Sequence, residues 1–231
     1  MIKSINPLLC YLQAKDIPEV LDELESIPCD KLYIKYYEYP YPHRIARDYF
    51  LSHPEYTHLI IQPPDLIVKK EHFEKLKQDL IEHPFIEILG GVCNVDLDEN
   101  KDSWAICFNL PSLEFHNRVY HWVKKQNFDY PIIRVRHCGH VFMFVSRQVV
   151  ENLTINGEEI TGTNRPGYDG CDWKDNKDGF AADLFFCTNC YKSNIPIYVD
   201  THVDMMHLRF QGELLVGKRE SQTVFVPWVR K

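Results

Sequence analysis

The sequence predicts a single α/β domain built on a mainly parallel sheet with helices on both faces. Two observations lead to this fold class. The first 65 residues follow a strand, helix, strand, helix, strand succession, and such crossovers are right-handed and join parallel strands. The chain has 231 residues, a length that suits one α/β domain, and no repeat, low-complexity tract or Gly/Ser linker interrupts it. We therefore expect one domain over residues 1–231.

The first strand and helix are expected close to the N-terminus. Residues 8–12 are predominantly apolar and predict a short strand. Asp16 is expected to cap the next helix, because Pro18 suits its first turn and Glu19 stands three residues after the cap. The buried side of this helix is expected to consist of Ile17, Val20, Leu21, Leu24 and Ile27.

Two further strands and a second helix follow. Residues 32–37 alternate in the manner of a strand, and Pro42 opens a helix that continues through Phe50. Residues 58–61 form a wholly apolar third strand that is followed by two prolines and Asp65. Ligands of parallel sheets bind beyond the carboxyl ends of the strands, so Asp65 is a candidate binding residue.

The middle of the chain predicts one more helix and several strands. A helix over residues 70–82 would bury Phe73, Leu76 and Leu80. Strand-like segments then follow at residues 85–92, 104–109, 131–136 and 140–145.

A helix and a strand close the informative part of the sequence. The helix is expected to start after Asp178 and to stop at residues 194–196, with an apolar stripe formed by Phe180, Leu184, Cys187 and Tyr191. The strand is expected to bury alternate residues on one face and to leave the others polar, and the buried set is Ile197, Val199, Thr201, Val203 and Met205. Asp183 lies near the start of the helix, and His207 continues the buried row at the end of the strand.

Charge and composition narrow the classes of partner and compartment. The chain has 26 Lys and Arg against 33 Asp and Glu, a net charge of −7, and no basic run, which argues against a nucleic-acid partner. No apolar run approaches the ~20 residues of a transmembrane helix, and the N-terminus lacks the layout of a signal peptide. A cytoplasmic protein with no transmembrane segment is expected, with its eight cysteines reduced.

The closing segment, residues 179–209, resembles the corresponding segment of nucleotide-sugar glycosyltransferases with the GT-A fold, family 2 in particular. Asp183 matches the aspartate of that family's Glu-Asp pair, although Ala182 stands in place of the glutamate. Phe186 and Cys187 follow at the family's interval, residues 198–200 match its Tyr-Val-Asp strand, and His207 falls on its metal-ligand histidine.

Two upstream segments are similar to the same family. Arg47-Asp48 takes the place of an Arg-Asn motif, and Asp65 matches the second aspartate of the Asp-x-Asp motif, whose first position is Pro63 here. Residues 138–153 are similar to a strand-to-helix element on the acceptor side. The resemblance implies a GT-A domain with a nucleotide-binding half at about residues 1–100 and an acceptor-side half at about residues 101–231.

The function implied by the resemblance is transfer of a sugar from a nucleotide-diphosphate donor to a glycan, lipid or protein acceptor. Asp65 and His207 would bind Mn²⁺ or Mg²⁺, and a nitrogen ligand favours Mn²⁺. Asp183 would be the base of an inverting reaction. Donor-binding residues would be Arg47, Tyr36, Glu38 and Asp65.

Other interpretations of the same residues stay open. Asp65 could be a turn residue, His207 a structural histidine and Arg47 a surface charge. A nucleotidyltransferase would share the sheet but usually carries a Gly-rich loop, which is lacking here, and a binding protein could have kept the fold after losing activity. Structural zinc could use Cys187 and Cys190 with residues of the segment 137–140, although the apolar stripe favours buried thiols there.

Overall fold

The computed structural model of the protein describes residues 4–13, 17–35, 41–94, 103–108, 123–139, 142–155, 182–211, 214–219 and 222–227. These residues form one domain of mixed α/β class with a mainly parallel central sheet flanked by helices. Within the described ranges, no helix has both the length and the apolar character needed to cross a membrane.

The elements are numbered in chain order. The described strands are β1 (Pro7–Gln13), β2 (Asp30–Lys35), β3 (His58–Gln62), β4 (Leu66–Ile67), β5 (Ile88–Cys93), β6 (Ser103–Trp104), β7 (Ile106–Cys107), β8 (Val123–Lys124), β9 (Ile132–Val135), β10 (His137–Cys138), β11 (Met143–Ser146), β12 (Ile197–Gln211), β13 (Leu214–Arg219) and β14 (Gln222–Pro227). The described helices are α1 (Pro18–Ser26), α2 (Tyr41–Ser52), α3 (Lys70–Glu82), α4 (Arg147–Ile155) and α5 (Ala182–Lys192).

The central sheet has the strand order β14-β13-β12-β5-β11-β3-β1-β2. Strand β1 runs parallel to both β2 and β3, and β12 runs parallel to β5. Strand β11 is antiparallel to its two neighbours, β3 and β5, and β13 is antiparallel to β12 and β14. Of the eight strands in this order, six therefore point one way and two, β11 and β13, are reversed. The prediction of a mainly parallel sheet is therefore confirmed, and both halves of the chain contribute strands to it.

Helices cover both faces of the sheet, as the alternation of strands and helices predicts. One apolar cluster joins the sheet to α1 and α3, and the other joins it to α2, α4 and α5. Helix α3 has the predicted bounds, and its three predicted core residues, Phe73, Leu76 and Leu80, are buried. Strand β3 is buried along its whole length: residues 59–61 are apolar, and the polar end residues His58 and Gln62 are buried with them.

The start of α1 differs from the prediction. The cap position is Ile17, in an extended conformation and with no side-chain hydrogen bond, while Asp16 lies outside the described residues. Pro18 occupies the first turn, where its missing N–H costs nothing. The buried side is largely as predicted, with Leu21 only partly buried.

The polar face predicted for β12 is wrong at two positions. Asp200 is fully buried and Asp204 is nearly so, because this strand is covered on both of its faces. Each carboxylate has a lysine partner: Lys75 Nζ lies 2.8 Å from Asp200 Oδ2, and Lys125 Nζ lies 3.0 Å from Asp204 Oδ2. Burial of charge at these positions is therefore compensated by ion pairs.

The apolar stripe predicted for α5 is confirmed at Cys187 and wrong at Tyr191, while Phe180 lies outside the described residues. The buried residues include Phe186, Cys187 and Cys190, whereas Tyr191 is 46% exposed. Successive helical residues are separated by about 100°, so Tyr191 lies well away from the centre of the buried face. Its ring instead packs under the guanidinium of Arg136, 3.5 Å from the guanidinium carbon.

Candidate functional site

The short strand β4 brings Asp65 and His207 together. Strand β4 pairs antiparallel with β12, so that Leu66 lies opposite His207. The Leu208 N–H donates a hydrogen bond of 2.7 Å to the Asp65 carbonyl, which fixes the backbone beside the pair. As a result, Asp65 Oδ1 lies 3.5 Å from His207 Nε2. Two residues singled out by sequence are thus in contact beyond the carboxyl end of β3.

Side chains from the core strands hold the turn that carries Asp65. Gln62 is fully buried at the end of β3, and its Nε2 donates a hydrogen bond of 3.0 Å to the Leu66 carbonyl. The hydroxyl of Tyr11, from the neighbouring strand β1, donates to the Pro64 carbonyl at 3.4 Å. These two bonds position the turn from the side of the sheet.

Exposure and donor chemistry make the pair suitable for a divalent cation. The side chains of Asp65 and His207 are 35% and 26% exposed, so both can be reached from solvent. Ligand atoms that each lie roughly 2.1 Å from one ion are separated by roughly 3.0–3.4 Å in octahedral or tetrahedral coordination, which is close to the observed separation. One carboxylate oxygen and one imidazole nitrogen suit a transition metal such as Mn²⁺.

The pair supplies two protein ligands and leaves other coordination positions open. In the part of the chain that the structure describes, no three His, Cys, Asp or Glu side chains are grouped so that they could hold a metal ion. Oxygen atoms of a bound substrate or of water would complete the coordination of an ion at Asp65 and His207.

Asp183 lies in the first turn of α5, as expected, and is partly exposed. Its charge acts on Cys138 of β10: the pKa of Cys138 is raised well above its usual value by a hydrogen bond with Cys187, by burial and by neighbouring charges that include Asp183. Helix α5, which carries Asp183, packs against β10, whereas the contact within the predicted set is between Asp65 and His207.

A chain of backbone contacts links β10 to the edge that carries the pair. The Gly139 N–H donates to the Ala105 carbonyl at 2.9 Å, and the Ala105 N–H donates to the Cys93 carbonyl at 2.9 Å. Cys93, the last residue of β5, lies opposite Met205 of β12, two residues before His207.

Of the three remaining predicted donor-binding residues, the structure describes only Arg47. Arg47 lies on α2, and its guanidinium contacts the carboxylate of Asp48 at 2.7 and 2.8 Å. Asp48 is 65% exposed, so this ion pair is of the weak surface kind and does not fix the role of Arg47. Tyr36 and Glu38 lie outside the described residues.

The cysteines near α5 behave as buried thiols. Cys187 Sγ donates to the Cys138 carbonyl at 3.4 Å and accepts from the Cys138 N–H at 3.5 Å. Burial raises the pKa of Cys107 to about 11, with the charge of Cys187 adding to the effect. Cys187 and Cys190 are fully buried, and Cys187 is hydrogen-bonded to the backbone of Cys138, which favours a packing role over the zinc interpretation.

Sequence reasoning did not identify Gln62 and Tyr11 as residues that position the site. The available signal was weak: Gln62 is the first polar residue after a wholly apolar strand, and an amide there is as easily interpreted as a strand end. Tyr11 lies within an apolar segment, and only the pairing of β1 with β3, which sets it opposite Gln62, reveals its reach to the turn.

Comparison with known proteins bears on the fold. No protein-family model and no curated protein sequence matches the chain. Among solved structures, the crystal structure of A197 from STIV is similar, with a TM-score of 0.60 and 12% sequence identity, over 99% of this chain and 98% of that chain. At this identity the likeness shows a common fold along the whole chain, and it shows no common activity.

Proposed function

We propose that the protein is a metal-dependent glycosyltransferase of the GT-A type that moves a sugar from a nucleotide-diphosphate donor to an acceptor hydroxyl. The observation that carries the proposal is the 3.5 Å contact between Asp65 Oδ1 and His207 Nε2 at the carboxyl edge of the sheet. The resemblance of the sequence motifs and the mainly parallel sheet support it.

In this proposal Asp65 and His207 hold Mn²⁺ or Mg²⁺ beside the donor diphosphate. The bound ion would stabilise the negative charge that develops on the leaving diphosphate. Gln62 and Tyr11 keep the Asp65 turn in place through their bonds to the Leu66 and Pro64 carbonyls, so the carboxylate is oriented before the donor arrives.

Asp183 is the proposed base that takes the proton of the attacking acceptor hydroxyl, and such a base contributes ~10²–10⁴ in rate. Its place in the first turn of α5 stabilises the ionised carboxylate, which keeps it ready to accept a proton but lowers its basicity. Arg47 is proposed to contact the diphosphate, and Tyr36 and Glu38 to contact the nucleoside.

Calorimetry with UDP and GDP, each with and without Mn²⁺, tests the nucleotide and metal assignment. We expect one of the two nucleotides to bind in the presence of Mn²⁺ and to bind at least about tenfold more weakly without it, which corresponds to about 1.4 kcal/mol. If neither nucleotide binds under either condition, the assignment is wrong.

Turnover separates a transferase from a binding protein of the same fold. We expect Asp183→Asn to bind the nucleotide with unchanged affinity and to transfer sugar to an acceptor ~10²–10⁴ times more slowly, because only the proton acceptor is removed. Asp22→Asn, an exposed change on α1, is the matched control. Nucleotide binding without turnover of any sugar donor by the unchanged protein would favour the binding-protein alternative, in line with Pro63 and Ala182.

A further inference from the structure

A cavity lies at the opposite end of β12 from Asp65 and His207. It has a volume of about 290 Å³ and is formed by the end of β9, the last turn of α5 and the residues that lead into β12. Strand β12 is irregular between Val199 and Asp204, where five of its positions span only two of β5, so Ile197 and His207 are separated by roughly 20 Å along the strand. A ligand of one aromatic ring does not reach both places.

The walls of this cavity are cationic. Arg134 and Arg136 both line it, and the described lining includes no Asp or Glu. This concentration of positive charge is unusual in a chain with a net charge of −7. The positive charge is also felt by the neighbouring His137. Burial lowers the pKa of His137 to about 4, and the charge of Arg136 lowers it further. Guanidinium pairs of this kind suit carboxylate or phosphate oxygens.

The guanidinium of Arg136 is held in place before any ligand binds. It stacks on the ring of Tyr191 at 3.5 Å, and the Arg136 backbone N–H donates to the Cys107 carbonyl at 3.0 Å. Arg136 Nε is shielded from solvent, and no hydrogen-bond acceptor for it lies among the described residues. The Tyr191 ring therefore orients the guanidinium of Arg136. No carboxylate in the described lining neutralises its charge.

The rest of the lining is aromatic and apolar. Phe108 is 41% exposed at the cavity and packs edge-on against Phe128, with ring centroids 6.2 Å apart. Val135, Ile195 and Ile197 supply an apolar floor. An apolar cavity of this size with a few convergent polar groups is typical of a small-molecule site.

We propose that this cavity binds a small oxyanion carried on a single aromatic ring, an aryl carboxylate or aryl phosphate. The oxyanion pairs with Arg134 and Arg136, and the ring packs beside Phe108 over the apolar floor. This proposal does not depend on the proposed transferase activity. Asp65, His207 and Asp183 do not line the cavity. Cys187 and Tyr191 of α5, which do, lie about one and two turns after Asp183.

Titration with phenyl phosphate, benzoate, inorganic phosphate and phenol, followed by ligand-observed NMR, tests the proposal. We expect saturable binding of phenyl phosphate or benzoate, at least about tenfold weaker binding of inorganic phosphate, which lacks the ring, and no saturation by phenol, which lacks the charge. Addition of UDP with Mn²⁺ is expected to leave the binding unchanged, because the sites are distant.

Variants then assign the binding to the two arginines. Arg134→Gln/Arg136→Gln is expected to weaken phenyl phosphate and benzoate at least about tenfold, whereas Lys35→Gln/Lys70→Gln, which removes the same charge from exposed positions elsewhere, is not. Arg134→Gln alone removes an exposed side chain and keeps the test valid if loss of Arg136 impairs folding. Absence of saturable binding, equal affinities in the arginine and lysine variants, or displacement by UDP would overturn the proposal.

Discussion

Replacement of His207 by alanine is expected to weaken Mn²⁺-dependent nucleotide binding by at least about 100-fold. Changes to groups that merely support a metal ligand already cost ~10–100-fold in metal affinity, and this change removes one of two protein ligands. Asp65→Asn is expected to have a similar effect, since it removes the charge from the other ligand. Calorimetry with the preferred nucleotide and Mn²⁺ measures both.

The control for this prediction is His202→Ala, which removes an exposed imidazole from the same strand. His202 contacts Asp200 through its backbone N–H, a bond that alanine retains. His207→Ala should also leave the free energy of unfolding within about 1 kcal/mol of the unchanged protein, because a partly exposed contact between polar side chains contributes little to stability. Equal nucleotide affinities for the His202 and His207 variants would mean that the pair is only a surface contact.

Replacement of Lys75 by methionine is expected to lower the free energy of unfolding by about 3 kcal/mol at neutral pH. Lys75 lies between Asp79 and Asp200, whose side chains are 4% and 0% exposed, and its Nζ contacts both carboxylates. Without the lysine, two buried carboxylates would face each other. Loss of one partner of a fully buried pair costs ~3–5 kcal/mol, and the lower value applies because Lys75 itself is 43% exposed.

The loss in free energy of unfolding caused by Lys75→Met should depend on pH. Burial raises the pKa of Asp79 to about 6, against the opposing effect of Lys75. An acid with a raised pKa stabilises the fold while it is protonated, and this contribution is lost as the pH rises through about 6. Burial would also raise the pKa of Asp200, but Lys75 and the His202 amide outweigh it and hold that pKa below its usual value. Asp200 therefore stabilises the fold above its usual pKa and stops doing so in acid.

Loss of Lys75 raises both values, so the Lys75→Met protein should recover stability relative to the unchanged protein as the pH falls from about 7.5 to about 5. Urea unfolding at several pH values measures this, with Lys70→Met, an exposed change on the same helix, as the control. A deficit that stays constant over this range would show that the carboxylates do not interact through Lys75.

Local patterns predicted most of the scaffold. Helix α3 follows directly from its apolar spacing, and β3 from its unbroken apolar run, because each buries a face that the sequence itself defines. The order of strands and helices gave the parallel pairing of β1 with β2 and β3. Features that depend on partners distant in sequence were harder to predict. Asp200 stands at a polar position of the alternation in β12, yet it is buried, because Lys75 of α3 compensates its charge.

The candidate site was predictable only in part, and for the same reason. Asp65 and His207 were identified from motif resemblance, yet the element that joins them, β4, has two residues and no pattern of its own. The cavity lined by Arg134 and Arg136 was not foreseen. Its aromatic partner, Tyr191, is assigned by its spacing to the core, and the sequence does not reveal that a guanidinium covers the ring instead.

The proposed function depends on one metal ion held between Asp65 and His207. A crystal soaked with Mn²⁺ and the preferred nucleotide, measured at the manganese absorption edge, tests it most directly. We predict an anomalous peak within roughly 2.0–2.3 Å of both Asp65 Oδ1 and His207 Nε2, with diphosphate oxygens completing the coordination. A nucleotide bound elsewhere, or bound here with manganese in contact with neither side chain, would contradict the proposed function.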